Sequence, residues 1–443
     1  MLLTTTRSRR SITNSLLTTA AALFFCCAGG TARAVDWNFS TFAGPIYTDN
    51  ITRNQDAQPG TAYNLTVNGG LESHTRTLDA VLNGTATHRE YSPSEFEGTT
   101  KASASLEFAW SMFPDHFKLI VEDNYGQVAR NDEFDLVLGS AEDVNFLTAG
   151  PDFMFHLSEG DLVTLSGRFD KTSYSQSLIG GTRTYGLLDY EHDLGGSKSL
   201  GVGLAARHNT FDRDDLYDDF DVQTAYVAFL LDNTRNKFHV ELGAERLDRL
   251  EDDFTGNYAD VSYSRNVNRY LLATLTYRQA FADAADIFRF QQRLDPNLSG
   301  AEDVQAVADP VNDKRLTLDF QFTGNRLQVG ALLEFVRERY TESVINDRDS
   351  RGIRVTSSYR IGPRVTALAD FAVGRQELIE SGGIEDDVAG SLGADFALSQ
   401  HLTLTTRVSQ YNRSGNQNRY RETRASLFLE YAASRSTPVG QAR

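Results

Sequence analysis

Between Lys314 and Tyr340 the chain changes character at every second residue. Leu316, Leu318, Phe320 and Phe322 fall on one side of an extended backbone, and Arg315, Thr317, Asp319 and Gln321 fall on the other. That two-residue period is a β-strand with one apolar face. Thr323-Gly324-Asn325-Arg326 interrupts it, with a Gly-Asn pair suited to the positive φ angles of a tight hairpin. Alternation then resumes with Leu327, Val329, Ala331, Leu333 and Phe335 opposite Gln328, Gly330 and Glu334. A water-soluble sandwich has the same local pattern. What narrows the choice is recurrence, because similar units follow one another from Trp37 to Tyr431, behind a segment built like an export signal.

That segment, residues 1–34, has Arg7, Arg9 and Arg10 ahead of an apolar run from Leu16 to Cys27, then the small residues of Ala32-Arg33-Ala34. It reads as a secretory signal peptide cleaved near Ala34. Arg9-Arg10 also fits a twin-arginine route, the general secretion channel being the simpler one. Both cysteines, Cys26 and Cys27, lie inside it, so the mature chain can form neither a disulfide nor a thiolate metal site. The formal net charge is −17, and the leader itself carries only basic charges. So acidic a chain is unsuited to phosphate backbones, and no nucleic-acid partner is expected. After Ala34 no run approaches the roughly 18 apolar residues of a membrane helix. A spanning β-strand, apolar only at alternate positions, leaves just such a weak hydropathy signal.

Counting alternating stretches gives about twenty strands (18 to 22) in the span 35–431. Connections are tight at one end, as at Pro114-Asp115, Gly195-Gly196-Ser197, Gly324-Asn325 and Gly362-Pro363. At the other end they read as longer and acidic: Asn131 to Asp143, Asp212 to Asp219, Leu250 to Gly256, Ile345 to Asp349 and Ser381 to Asp387. Short turns at one rim and long loops at the other predict an all-β, transmembrane antiparallel β-barrel, with the turns periplasmic and the loops extracellular. Closure has a physical cause, since an unpaired sheet edge facing lipid has no water to bond. The alternation puts Phe238, Val240, Leu242 and Ala244 toward lipid. It puts Lys237, His239, Glu241, Glu245, Arg315, Asp319, Gln321 and Glu334 toward the lumen. Tyrosines near strand ends (Tyr47, Tyr63, Tyr91, Tyr174, Tyr270, Tyr340, Tyr411, Tyr420, Tyr431) suit an interfacial girdle, although aromatics suit any strand.

One connection, Ala282 to Asp313, is out of scale. Ile287, Phe290 and Leu294 recur there at helical spacing beside Arg289, Gln292 and Arg293. A constriction folded into the lumen, with Phe288, Arg289, Phe290 and Arg293 as its candidates, and a mobile surface loop are both consistent with that pattern. The acid clusters Asp214-Asp215 with Asp218-Asp219, and Glu251-Asp252-Asp253, lack the Asp-x-Asp-x-Asn-Gly order of a calcium loop. They suit a solvated outer rim, bridged to lipid phosphates by cations, better than a dedicated divalent-cation site. The chain has no Gly-x-Ser-x-Gly, no His-Glu-x-x-His and no phosphate-binding glycine loop, so no enzyme, metal site or cofactor is expected.

Trp37-Asn-Phe-Ser-Thr-Phe followed by Tyr47-Thr48-Asp49-Asn50-Ile51 resembles the opening strand of the type 2 β-barrel porins of exopolysaccharide and PEP-CTERM-type loci. The rest of the chain is similar to that family in length and strand rhythm. The resemblance implies an outer-membrane barrel with a part in polysaccharide export or passage, and carries over no catalytic residues. The expected function is a passive porin-like conduit or export component for exopolysaccharide. The alternative is a non-conducting structural or surface-adhesion barrel with acidic binding loops. Expected partners are outer-membrane lipid and lipopolysaccharide, the barrel-assembly machinery, polysaccharide and periplasmic export components. Tyr431 is the candidate assembly signal, followed by a polar tail, residues 432–443, and Tyr431→Ala is expected to slow assembly.

Overall fold

The structure is a computed structural model that describes residues 35–435 except 93–97, 130–140, 178, 214–215, 251, 289–300, 306–308, 343 and 416–418. The expected leader and positions 436–443 lie outside the described residues. In chain order the strands are β1 (Asp36–Thr48), β2 (Gly60–His74), β3 (Leu78–Ser92), β4 (Thr99–Phe113), β5 (Phe117–Ala129), β6 (Ala141–His156) and β7 (Asp161–Tyr174). There follow β8 (Gly181–Asp193), β9 (Lys198–Phe211), β10 (Phe220–Asp232), β11 (Asn236–Arg249), β12 (Asp253–Asn268), β13 (Leu271–Ala282) and β14 (Ala301–Gln305). The last are β15 (Val311–Thr323), β16 (Leu327–Tyr340), β17 (Arg348–Arg360), β18 (Val365–Leu378), β19 (Gly383–Ala397), β20 (Leu402–Gly415) and β21 (Tyr420–Arg435).

All but β14 form one antiparallel wall of twenty strands, in which β13 passes directly to β15. β21 returns to β1, from Trp37 opposite Arg435 to Thr48 opposite Arg424, and closes the ring. Twenty lies within the predicted 18 to 22. Outside, Leu165, Leu188 and Leu204 are cross-strand neighbours on β7, β8 and β9, and all three are exposed. Ile353, Val373 and Val388 repeat the arrangement on β17, β18 and β19. An exposed apolar belt that continuous marks a surface made to be covered.

Two Gly-Pro steps interrupt the hydrogen-bond ladder. Between β1 and β21 the register runs from Ala43 opposite Leu429 to Ile46 opposite Ser426, skipping Gly44 and Pro45. Proline has no N–H to give, and a Cβ on Gly44 would sit 1.9 Å from the Leu427 carbonyl oxygen. Gly150-Pro151 does the same between β6 and β7, with Gly150 against the Gly167 carbonyl. At such close approach only glycine fits.

Four sequence expectations need correcting. Asp212 to Asp219 lies between β9 and β10 as expected, but the connections before β12 and β19 are shorter than predicted, because their acids continue the strands: β12 begins at Asp253 and β19 at Gly383. Those acids stay extended because each meets an arginine. Arg246 binds Asp253 at 2.7 Å, Arg339 binds Asp349 at 2.6 Å, and Arg413 grips both oxygens of Asp387 at 2.6 and 3.0 Å. Gly324 and Asn325 do not take positive φ, a conformation found at Asp115, Gly195, Gly196 and Ser197 instead. Their turn closes through Gly324 N–H to the Leu327 carbonyl at 2.8 Å. The girdle is partial: Tyr47, Tyr63 and Tyr431 stand exposed, whereas Tyr340 and Tyr420 are buried. The stretch expected as tail after Tyr431 stays in β21 to Arg435, with Ala432 opposite Ser40 and Ala433 opposite Phe39.

Candidate functional site

A closed wall of this many strands is too wide for its own side chains to fill. The connection between β13 and β15 turns into that space. Asp283 caps a helical turn at residues 284–288: its Oδ1 accepts the Asp286 N–H at 2.9 Å, and Asp286 Oδ2 takes the Asp283 N–H at 3.4 Å. This is a reciprocal cap with aspartate in both roles.

The same carboxylates reach across to the wall. Arg183 on β8 donates Nη1 to Asp286 at 2.8 Å and to Asp283 at 3.3 Å, while its Nε is held by Asp170 of β7 at 2.7 Å. Arg207 on β9 donates Nη1 to the other Asp286 oxygen at 2.7 Å and Nη2 to the Phe281 carbonyl at 3.2 Å. Asn209 Nδ2 adds a hydrogen bond to Asp283 at 2.9 Å. The Arg183 side chain is only 6% exposed and lies over the Phe146 ring, 5.0 Å from its centroid. Burial, and after it the neighbouring Asp286 carboxylate, holds the Asp283 carboxyl above the ordinary aspartate range, with Arg183 and Arg207 opposing.

Apolar packing completes the docking. Ile287 and Phe288 are buried with Ala282, Ala284, Val311 of β15, Tyr340 of β16 and Val144 of β6. Since β6 and β16 lie far apart around the ring, a cluster holding residues of both crosses the interior. A second cluster joins Phe281 to Phe220, Val222 and Leu247 on β10 and β11. Further along, β14 pairs in parallel with the end of β5, Ala301 opposite Val128 and Gln305 opposite Ala129. That stretch lies beyond the last β4 to β5 pair, Ala104 opposite Tyr125. At the exit Asp309 accepts bonds from Thr341 at 2.5 Å, Arg249 at 3.2 Å and the Glu342 N–H at 2.9 Å.

Of the constriction candidates, Phe288 sits in this packing, and Arg289, Phe290 and Arg293 lie outside the described residues. Among the lumen candidates, Glu245 joins the loop root, accepting the Phe281 N–H at 2.8 Å and Thr224 Oγ1 at 3.0 Å. His239 and Glu241 bond to each other at 3.1 Å. Arg315 is buried and donates to Glu334 at 3.1 Å, with Asp313 and Glu338 each 3.8 Å away. Gln321 bonds Asp319 at 2.8 Å, and Lys237 stays exposed, 3.7 Å from Asp232. Tyr431 faces outward beside His401, ring centroids 6.0 Å apart. Of the acids read as rim clusters, Asp219 accepts the Phe211 N–H at 3.0 Å and Asp218 lies 4.0 Å from Arg249, while Asp214, Asp215 and Glu251 lie outside the described residues. Sequence reading missed Arg183, Arg207, Asn209, Asp283 and Asp286. Asp283-x-x-Asp286 before an apolar pair was a legible cap signal, but nothing local marks the two arginines.

The class defined by this geometry is a closed β-barrel with an inward, pinned loop. No family model matches the chain, and no curated protein matches it. Among solved structures, it is similar to the siderophore receptor PirA from Pseudomonas aeruginosa, at 11% identity and a TM-score of 0.43, over 89% of this chain and 80% of that one. It is also similar to the copper transporter OprC, at 12% identity and a TM-score of 0.45, over 90% and 80%. A third is OccK2 (OpdF) of Pseudomonas aeruginosa, at 9% identity and a TM-score of 0.38, over 90% and 98%. The resemblance to the type 2 β-barrel porins has no matching family model behind it.

Proposed function

We propose that the protein is a passive conduit for hydrophilic solutes in the outer membrane of a Gram-negative cell, narrowed by the loop between β13 and β15, with exopolysaccharide as its solute. The observation that carries this reading is the loop itself, pinned by Arg183 and Arg207 across a ring too wide to close on its own. The exposed belt through Leu165, Leu188 and Leu204 supports a lipid surround. In this reading the tight-turn rim is periplasmic, lipopolysaccharide and the assembly machinery are the partners of the wall, and Tyr431 on the exposed face is the assembly signal.

Planar-bilayer recording tests the proposal. Wild-type protein is expected to give small steady steps, and protein lacking residues 283–310, rejoined by a short glycine link, steps several-fold larger. A barrel silent in both forms points to the structural or adhesive role instead. For the solute, deleting the gene is expected to abolish secreted polymer. Unchanged secretion removes the polysaccharide assignment and leaves the conduit.

A further inference from the structure

We infer that the inner wall across β8 to β12 holds a saccharide-binding subsite, made by the rings of Tyr226 and Tyr258 and the carboxylates of Asp189, Glu241 and Asp260. The inference rests on the conduit reading for its route of access.

The register builds the site. One row of cross-strand partners reads Asp189, Gly203, Tyr226, Gly243 and Tyr258, so tyrosine and glycine alternate over β9 to β12. Its neighbours in the next row, Gly201 and Ala228, are small as well. Tyr226 lies over Gly203, where an added Cβ would come within 2.2 Å of the ring. A larger residue at Gly203 would therefore push the ring out of place. With small residues beneath and between them, the two rings lie along the wall, centroids 5.5 Å apart and 39° between planes. Both residues are half-buried, so each keeps some exposed surface.

Hydrogen bonds fix the rings. Tyr226 Oη donates to Asp189 at 2.5 Å, and Tyr258 Oη donates to Glu241 at 2.6 Å. Glu241 also meets His239 at 3.1 Å, and Asp260 stands between Glu241 and Arg278 in the ladder. Each carboxylate oxygen carries two lone pairs, so acceptor capacity remains beside each ring. Aromatic faces next to acceptors match a pyranose, whose C–H face is apolar and whose rim is hydroxyl. An organic cation fits less well. Two rings tilted side by side form a platform, not a cage around a charge, and the acids already hold phenol, imidazole and guanidinium neighbours.

The test is titration of a neutral linear glucan oligosaccharide, by calorimetry on full-length detergent-solubilised protein and by current block in a bilayer. Wild type is expected to bind and to show brief blocks. Tyr226→Ala and Tyr258→Ala are each expected to weaken the calorimetric Kd about tenfold, the scale of one aromatic platform lost. Tyr258→Phe, which keeps the ring, is expected to stay near wild type, and heat-modifiability checks that each variant is folded. An unchanged Kd in folded alanine variants, equal block by polyethylene glycol of the same length, or binding of choline in place of the glucan overturns the subsite. Calorimetric binding by a barrel that passes no current keeps the subsite and removes the conduit. Conduction without glucan binding does the reverse.

Discussion

Arg183 is the side chain whose loss the docked loop can least absorb. It is buried against an aromatic ring and spans Asp170 of the wall and both loop carboxylates. Removing one partner of such a group leaves the others buried without their counter-charge, a cost of about 3–5 kcal/mol. Arg183→Met is therefore expected to release the loop, seen as new protease cleavage between residues 283 and 310 and as larger conductance steps. Asp283 supplies a pH dependence. Its carboxyl is raised by burial and by Asp286, and it faces Arg183, Arg207 and Asn209, with Tyr174 and Glu142 close by. A raised acid binds its proton more tightly in the docked loop than free in water. Its contribution to docking is thus fully present below the ordinary aspartate range and lost as pH rises through the raised one. Mild acid is expected to shrink the steps, with Asp286 keeping both arginines engaged. Asp283→Asn, which preserves the cap, is expected to remove that response. The acid half of this contact was readable from Asp283-x-x-Asp286. The arginine half was not, because an inward Arg on an alternating strand looks like any other lumen residue until the ring brings it to the loop.

The strands were largely legible as elements, because a period of two survives any choice of partner: β15 and β16 run close to where Leu316 to Phe322 and Leu327 to Phe335 place them. Their ends were not. Acids such as Asp253 and Asp387 look like loop to composition, but an arginine on the neighbouring strand lets them stay extended, as Arg246 does for Asp253 and Arg413 for Asp387. Aromatic orientation failed for a related reason. Tyr340 occupies an inward position of β16, where the loop residues Ile287 and Phe288 join Val311 and Val144 of the wall in burying it. The Gly-Pro steps carry the prediction for this scale. Gly44→Val puts branched carbon into the space of the Leu427 carbonyl at the closing seam, and Gly150→Val does so at Gly167. Both are expected to reduce heat-modifiable barrel in detergent, the seam variant more, since β1 with β21 is the pair that completes the ring. Equal yields for wild type and both variants would show that the ladder can yield at these gaps.

Taken whole, the molecule separates what closes it from what narrows it. Strand count and closure followed from rhythm and turn spacing, while the direction of the long connection could not, since no spacing rule tells a segment to fold inward. β13 and β15 bond to each other along their full length, up to Ala282 opposite Val311. Excising residues 283–310 is therefore expected to leave the β-rich circular dichroism and the heat-modifiable band of the wild type intact; loss of either would show that the loop helps hold the ring. That adjacency has a practical side. The two anchor points sit at neighbouring positions on a closed hoop, so grilles of other lengths and chemistries can be grafted there, making the chain a chassis for sieves of chosen mesh.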